Sequence, residues 1–358
     1  MMSRRFVHVL VSNIIGRPCT YTLHSINASS FFYPERLSRF AATIEDDLLP
    51  QPAMSFYHPG SPPEYYGSMD FMPLGRNRND IVGVDHRGRT ILYDTAVPAV
   101  RTMPTLHVPK SFPISIAAGD SLYVMNSRLG PPQQHTFEAL VHGPLPDCCT
   151  HGWFWRSLPP PPYVYNPDYS EDDHEYDDEG DIFEPYEIRA YAVVGDSQIW
   201  ISTAAAGTYS FDTASGVWSK HGKWSLPFRG GVEYVPEHKL WFGFSSEDRR
   251  FCACDLTCEE EEQPSLHKVW ELDLRLPQDW IPIKPYLVPL GSGKFCVVQL
   301  FTTSEVVISA AGYRCHKSEM FAVLTGVEVE NVDGMGLHMI KHKSKRYCLD
   351  GKFVRQVI

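Results

Sequence analysis

The chain has 358 residues, of which 43% are hydrophobic and 13% aromatic, so it is long enough for one large all-β domain with a substantial core. Its 25 Gly and 29 Pro favour short strands and turns over long helices. The net charge of −11 is concentrated in residues 166–187, which hold eleven acids and no Lys or Arg. The near-neutral remainder lacks the basic face of a general nucleic-acid binder, so no nucleic-acid partner is expected.

The first apolar stretch, Phe6–Ile15, is interrupted by polar residues and predicts a strand rather than a secretion signal. A mitochondrial transit peptide is the alternative, because no acid precedes Glu35. No apolar run approaches the ~18 residues of a membrane-spanning helix, so no membrane partner is expected. Nine irregularly spaced cysteines then indicate reduced thiols in a cytoplasmic or nuclear protein.

The stretch Pro34–Leu48 predicts one short helix. Its apolar residues recur at helical spacing, and Pro34 suits a first helical turn. Asp46 and Asp47 oppose the helix dipole at the far end, which limits the length of this helix.

After about residue 50 the pattern is strand, tight turn, strand, which is typical of β-hairpins. The five predicted hairpins join Ile81–Val84 to Thr90–Tyr93, Ile114–Ala118 to Leu122–Met125, Ala190–Val194 to Ile199–Ile201, Val232–Tyr234 to Leu240–Phe242, and Tyr286–Leu290 to Lys294–Leu300. Recurrence near about 40–50 residues is typical of propeller blades.

In three units a further strand ends in an acid, and a Trp or Pro lies downstream. The strand Thr136–Leu140 lacks the acid but is also followed by Trp and Pro residues. An Asp at that place can accept hydrogen bonds from turn amides, and the Trp can pack between blades while its indole N–H finds a partner. The structural blade positions predicted in this way are Asp94, Asp212, Asp255, Trp155, Trp218 and Trp270.

The predicted fold is therefore an all-β, kelch-like β-propeller of six blades with one short N-terminal helix. The whole chain, 1–358, forms one domain in this interpretation, and residues 164–187 form an acidic, disordered insertion. The sixth blade combines both ends of the chain, which would close the ring. Its predicted strands are Phe6–Val11, Thr20–His24, Leu337–Ile340 and Tyr347–Val354.

Several segments resemble a known family. Gly207–Phe228 resembles the edge of a kelch blade, and the chain as a whole is similar to a grass-expanded plant family of uncharacterised kelch-like proteins. The resemblance implies a plant source and a propeller fold, but no activity. The segments that carry it are Arg4–Phe6, Tyr21–Leu23, Leu158–Pro162, Tyr234–Glu237, Leu240–Gly243, Gly291–Cys296 and Lys341–Lys345.

The acidic stretch offers one candidate metal site. Asp173, Glu175, Asp177 and Glu184 have EF-hand-like spacing. However, the sixth position is Asp178 instead of Gly, and no helices flank the stretch, which favours a solvated insertion.

Cysteine and histidine clusters offer two candidate zinc sets, Cys252–Cys254–Cys258 with His267, and Cys148–His151. Their spacing is not that of a structural zinc site, so core cysteines are the preferred interpretation. His338 and His342 would form a metal pair on a helix, but their segment is predicted to be a strand.

Two surface features have alternative interpretations. Lys341, Lys343, Lys345 and Arg346 could bind an acidic partner, but an exposed hairpin that uses Lys to block edge pairing is preferred. Pro159–Pro162 could form a polyproline II ligand, whereas a stiff connection to the acidic stretch is preferred.

No catalytic motif is present, so the predicted function is a non-enzymatic, monomeric interaction module that binds a protein or peptide without a cofactor. The alternative is a propeller enzyme of the oxidase type with a metal site that no local spacing selects. Candidate contact residues near turns are Arg76, Arg78, His86, Arg87, Trp241 and Arg249.

Overall fold

The structure is a computed structural model that describes most of the chain. The described residues are 4–13, 20–33, 43–57, 68–75, 79–129, 135–145, 149–166, 175–176, 182–257, 262–272, 274, 276–308, 314–332, 334, 336–349 and 351–358. Side chains are described throughout these ranges except at 175–176, 182–183, 304–308 and 314–318.

The regular secondary structure of the described residues is β-strand, apart from two short 3-10 helices at Ala28–Phe31 and Pro162–Tyr165. The strands in chain order are β1 (Phe6–Asn13), β2 (Thr20–Asn27), β3 (Ile44–Asp47), β4 (Met54–Tyr57), β5 (Met69–Leu74), β6 (Asp80–Asp85), β7 (Thr90–Asp94), β8 (Ala99–Met103), β9 (Pro113–Ala118), β10 (Ser121–Asn126), β11 (Phe137–Pro144), β12 (His151–Leu158), β13 (Glu175–Tyr176), β14 (Ile182–Phe183), β15 (Ala190–Val194), β16 (Gln198–Thr203), β17 (Gly207–Asp212), β18 (Val217–Gly222), β19 (Gly230–Gly231), β20 (Glu233–Val235), β21 (Leu240–Phe244), β22 (Phe251–Cys254), β23 (Leu266–Trp270), β24 (Ile281–Gly291), β25 (Lys294–Ile308), β26 (Arg314–Val332), β27 (Gly336–Cys348) and β28 (Phe353–Val357).

The chain divides into two compact units, one of residues 68–269 and one of residues 1–67 with 270–358. The first unit holds four sheets with the strand orders β5-β6-β7-β8, β12-β11-β10-β9, β18-β17-β16-β15-β19 and β20-β21-β22-β23, together with the β13-β14 pair. The second unit holds two sheets, β28-β1-β2-β4 and β24-β25-β26-β27-β3. These six sheets are the blades of a six-blade β-propeller, which confirms the predicted fold class.

All five predicted hairpins are present as antiparallel pairs of neighbouring strands: β6 with β7, β9 with β10, β15 with β16, β20 with β21, and β24 with β25. Alternating apolar residues on these strands are buried against the next sheet, as blade packing requires.

The hydrophobic cores of residues 68–269 lie where successive sheets pack together. Leu92 and Leu140 belong to a core shared by the β5–β8 and β9–β12 sheets. Phe137 and Phe211 belong to the next core, where their rings meet edge to face with centroids 5.0 Å apart. A third core contains Trp200 and Trp241 and lies between the β15–β19 sheet and the β20–β23 sheet.

The two ends of the chain do meet in one sheet, as predicted. β28 pairs with β1, for example Val9 with Val357. The predicted strand Thr20–His24 is also present, as part of β2 in the same sheet. Leu337–Ile340 was wrong, because β27 pairs with β26 along a long hairpin and so belongs to the neighbouring sheet. The predicted strand Tyr347–Val354 is divided between the end of β27 and the start of β28.

The predicted helix over Pro34–Leu48 is also wrong where the structure describes it. Ile44–Asp47 is a strand that pairs in parallel with β27, while residues 34–42 lie outside the described residues. The acids that disfavour the end of a helix instead bind basic residues of β27: Asp46 accepts from Arg346 at 2.6 and 2.9 Å, and Asp47 from Lys345 at 2.8 Å.

The same contacts correct the interpretation of the basic cluster. β27 is not an edge strand, because β3 covers it. Lys345 and Arg346 therefore stabilise the attachment of β3 through ion pairs instead of blocking strand addition.

Candidate functional site

The three predicted aspartates lie at turns that follow β-strands. Each Oδ1 accepts a hydrogen bond from a backbone N–H two residues later: Ala96 with Asp94 at 2.9 Å, Ala214 with Asp212 at 2.8 Å, and Thr257 with Asp255 at 2.8 Å. This is the geometry of an Asx turn, in which the side chain replaces a backbone acceptor. These contacts are within the blades and create no ligand site.

Three tryptophans connect one sheet to the preceding sheet. The indole N–H groups of Trp155, Trp218 and Trp241 donate to the backbone carbonyls of Pro104 (3.0 Å), Pro159 (2.8 Å) and Val193 (2.8 Å). Trp270 is buried at the end of β23. Trp241, which the sequence suggested as a contact residue, is 2% exposed and so offers no binding surface.

The other candidate contact residues form no cluster within the part of the chain that the structure describes. Arg76 and Arg78 lie outside the described residues. His86 and Arg87 lie in the turn after β6, where Asp85 accepts from the Arg87 N–H at 2.9 Å. Arg249 is exposed in the turn after β21 with a positive φ of 55°.

The predicted preference for core cysteines agrees with the environment of the first zinc set. Cys252 and Cys254 are fully buried, and burial raises the pKa of the Cys252 thiol well above its ordinary value. Cys258 lies outside the described residues, and His267 is exposed.

The remaining candidate metal sets are not assembled by the described residues. Cys149 and His151 are exposed, while Cys148 is not described. His338 is exposed on β27, and His342 is buried on the same strand, where it contacts Glu328 at 3.3 Å.

The residues with calcium-like spacing are only partly among the described residues. Asp173 and Asp177 lie outside the described residues. Glu184 forms an ion pair with Arg128, so its carboxylate is already neutralised.

A cavity of about 330 Å³ lies beside the 3-10 helix Pro162–Tyr165. Four tyrosines dominate its lining, and the other lining residues are small, polar or basic. The lining residues are Pro162, Tyr163, Tyr165, Asn166, Tyr186, Ala205, Ala206, Tyr209 and Lys220, here called the tyrosine pocket.

The tyrosine rings of the pocket support one another. Tyr163 stacks on Tyr186 with ring centroids 6.4 Å apart and packs against Tyr209 at 5.6 Å. Tyr163 and Tyr209 are buried, whereas Tyr165 is 61% exposed at the rim. The Lys220 ammonium lies 5.2 Å from the centre of the Tyr209 ring, in cation–π contact.

A second polar site surrounds the buried carboxylate of Glu138 on β11. Lys110 donates to its Oε1 at 2.6 Å, and His107 Nδ1 contacts its Oε2. Glu138 and Lys110 are 0% and 1% exposed, whereas His107 is 41% exposed. The ring of His135 stacks on His107 with centroids 4.6 Å apart. We call His107, Lys110, His135 and Glu138 the Glu138 cluster.

The loop from Pro104 to Lys110 brings two members of this cluster to Glu138. The indole N–H of Trp155 donates to the carbonyl of Pro104, and the backbone N–H of Leu106 donates to the carbonyl of Gly88 at 2.8 Å. Lys110 also donates to the carbonyls of Val108 and His135, at 2.7 and 2.6 Å. Burial lowers the pKa of Lys110, while its contact with Glu138 opposes that shift.

Sequence reasoning missed both sites. His107, Lys110, His135 and Glu138 come from separate loops and one strand, and they match no local motif. The sequence signal for the tyrosine pocket was Pro159–Pro162, which was interpreted as a stiff connection to the acidic stretch, with a polyproline II ligand as the alternative, and not as the start of a pocket wall.

Among the described residues, no helix is long and apolar enough to cross a bilayer.

Comparison with known proteins identifies one family and several distantly similar structures. No curated protein matches the sequence.

Three solved structures illustrate the distant similarities. An auxiliary nutrient binding protein from Bacteroides thetaiotaomicron is 9% identical with a TM-score of 0.34, covering 76% of this chain and 56% of that chain. The β-propeller domain of Cps50 (Swd1) from Myceliophteria thermophila is 9% identical with a TM-score of 0.41, covering 92% of each chain. The N-terminal domain of Nup159 is 10% identical with a TM-score of 0.32, covering 78% of this chain and 62% of that chain.

One family model, described as "Protein of unknown function (DUF1668)", matches residues 4–347, which is nearly the whole chain. The protein therefore belongs to the DUF1668 family.

Proposed function

We propose that this propeller is a non-enzymatic interaction module that binds a basic, proline-containing segment of a partner protein in the tyrosine pocket. The observation that carries the proposal is the pocket itself: four tyrosines around a cavity of about 330 Å³, with Tyr165 exposed at its rim.

Proline is favoured by the shape and chemistry of the lining. Aromatic-lined grooves bind polyproline II segments because these are extended and already ordered, so little entropy is lost on binding. Tyrosine adds hydroxyl groups that can hydrogen-bond the carbonyls of such a segment.

A basic partner is favoured by charge. Asn166 and Tyr186 both line the pocket, and ten of the eleven acids of residues 166–187 lie between them in the sequence. The two residues that flank a strongly negative part of the sequence therefore lie at the pocket. The Lys220 contact also indicates that the Tyr209 ring can accept a cation.

The experiment is a fluorescence-anisotropy titration with a labelled peptide of repeating Pro-Pro-Arg. We expect saturable binding that falls at least about fivefold in Tyr165→Ala, since stacking by an aromatic side chain is worth about 1 kcal/mol. Tyr57→Ala is the matched control, because Tyr57 is 63% exposed on β4 and does not line the pocket.

Two peptide controls test the stated chemistry. Replacing Pro by Ala, or Arg by Glu, should each weaken binding. Lys220→Ala should strengthen binding of the Pro-Pro-Arg peptide by removing a competing cation. Equal binding of all three peptides, or unchanged affinity in Tyr165→Ala, contradicts the proposal.

A kelch-type repeat, a plant source, and a cytoplasmic or nuclear monomer stay predictions from the sequence. The single-domain assignment for residues 1–358, with an acidic insertion at 164–187, likewise stays a prediction.

A further inference from the structure

The Glu138 cluster has three side chains of the types that bind transition-metal ions. His107, His135 and Glu138 each offer one ligand atom, and these atoms lie within 4.8 Å of one another. It is the one such group found among the described residues.

An unsatisfied polar atom points to a ligand at this place. Nδ1 of His135 is buried and has no hydrogen-bond partner. Buried ring nitrogens are usually hydrogen-bonded, so an orphaned one needs an explanation such as a bound ion. His135 also has a positive φ of 64°, a backbone conformation that is uncommon for residues other than Gly.

The donor set selects the kind of ion. Two imidazoles and one carboxylate are a zinc ligand set that leaves a fourth position for water or another ligand. In a tetrahedral zinc site the ligand atoms lie about 3.3–3.6 Å apart, so side-chain shifts of about 1 Å would bring these three into place.

We propose that His107, His135 and Glu138 bind one zinc ion, with Lys110 as a positioning residue. Lys110 holds Oε1 of Glu138 and the carbonyl of His135, which fixes two of the three ligands. Glu138 then offers Oε2 to the ion in place of its contact with His107. The exposed edge of His107 gives the ion a path from solvent.

Binding requires a proton balance at His107. In the absence of metal, His107 Nδ1–H donates to Glu138 Oε2. Zinc coordination to that nitrogen requires the proton to leave it. A neutral His107 ring then carries the proton on Nε2 with no net release, whereas a protonated ring keeps Nε2–H and loses the Nδ1 proton to solvent. Apart from this proton transfer only the coordinate bonds form, and no redox step is involved.

The test is calorimetric titration of the chelator-treated, full-length protein with zinc chloride. We expect one zinc ion per chain whose affinity falls by more than 100-fold in His135→Asn, because loss of even an outer-shell partner typically costs about 10–100-fold. Asn is chosen because it tolerates a positive φ. His107→Gln provides a second ligand variant at an exposed position.

His267→Ala is the matched control, because His267 is exposed and belongs to the separate cysteine set. It should bind as the wild type does. Cobalt substitution adds a spectroscopic readout: visible bands of a tetrahedral site are expected in the wild type and His267→Ala, and absent in His135→Asn. Absence of stoichiometric zinc in the wild type, or equal affinity in His135→Asn and His267→Ala, overturns the proposal.

Discussion

The ammonium of Lys110 lies 2.6 Å from the carboxylate of Glu138, and the two side chains are 1% and 0% exposed. A pair so fully removed from water is stable only while both partners are present, because either charge alone is costly to bury. This pair therefore fixes the loop before β9 to the start of β11.

Lys110→Met is expected to lower the free energy of unfolding by about 3–5 kcal/mol, because it leaves the Glu138 carboxylate buried without its cation. Urea denaturation measures the change. The double variant Lys110→Met with Glu138→Gln should lose less than Lys110→Met alone, since no uncompensated charge is left. A double variant that is as unstable as the single variant would refute this account of the pair.

Trp155→Phe is expected to cost about 1–3 kcal/mol, because the Pro104 carbonyl loses its buried donor. Trp218→Phe should cost less, since its hydrogen bond to Pro159 lies at the surface. Both values come from denaturant unfolding. Equal losses would show that burial of these hydrogen bonds does not decide their contribution.

Gly88→Ala is expected to be more damaging than Gly119→Ala. Both glycines have positive φ, 80° and 60°, so each substitution should cost about 1 kcal/mol in backbone strain. At Gly88 a Cβ would also lie 2.5 Å from the Leu106 carbonyl oxygen, whereas nothing lies within 4 Å at Gly119. The loop that carries His107 and Lys110 must then shift, so Gly88→Ala should also weaken zinc binding.

Thermal unfolding and zinc titration of the two glycine variants provide the measurement. Similar stability and zinc affinity in both would contradict the close approach of Gly88 to Leu106.

Asp212→Asn is expected to change the pH dependence of stability. The N–H groups of Ser215 and Ala214 hold the Asp212 carboxylate and lower its pKa below the ordinary value of 3.8. A lowered carboxyl pKa in the folded state contributes stability that is present above pH 3.8 and is lost as the pH falls through the folded pKa. The stability difference between wild type and Asp212→Asn should therefore shrink in that acidic window.

Unfolding curves between neutral and acidic pH measure this difference, with Asp196→Asn in another exposed turn as the control. A difference for Asp212→Asn that stays constant with pH would contradict the assignment of the charged carboxylate as the hydrogen-bond acceptor.

The repeated hairpins were predictable because strand periodicity and tight turns are local properties of the sequence. Ile114–Ala118 and Leu122–Met125, for example, pair as predicted across the Gly119 turn. The error at Ile44–Asp47 has a tertiary cause: the strand is specified by Lys345 and Arg346, nearly 300 residues away, and not by its own periodicity.

The candidate sites were less predictable for the same reason. Glu138 belongs to no local sequence motif, and it is buried where Lys110 and His107 reach it from a separate loop. Likewise, Tyr163 and Tyr209 meet only when two sheets pack together. Local patterns therefore specified the blades, whereas contacts between blades created the sites.

The central claim is that a partner segment binds in the tyrosine pocket, and tyrosine-labelled NMR tests it most directly. Titration with the Pro-Pro-Arg peptide should shift the ring resonances of Tyr165, Tyr186 and Tyr209, while those of Tyr57 and Tyr234 stay in place. No shift of the pocket tyrosines at saturating peptide, or shifts of equal size at Tyr57 and Tyr234, would contradict the account.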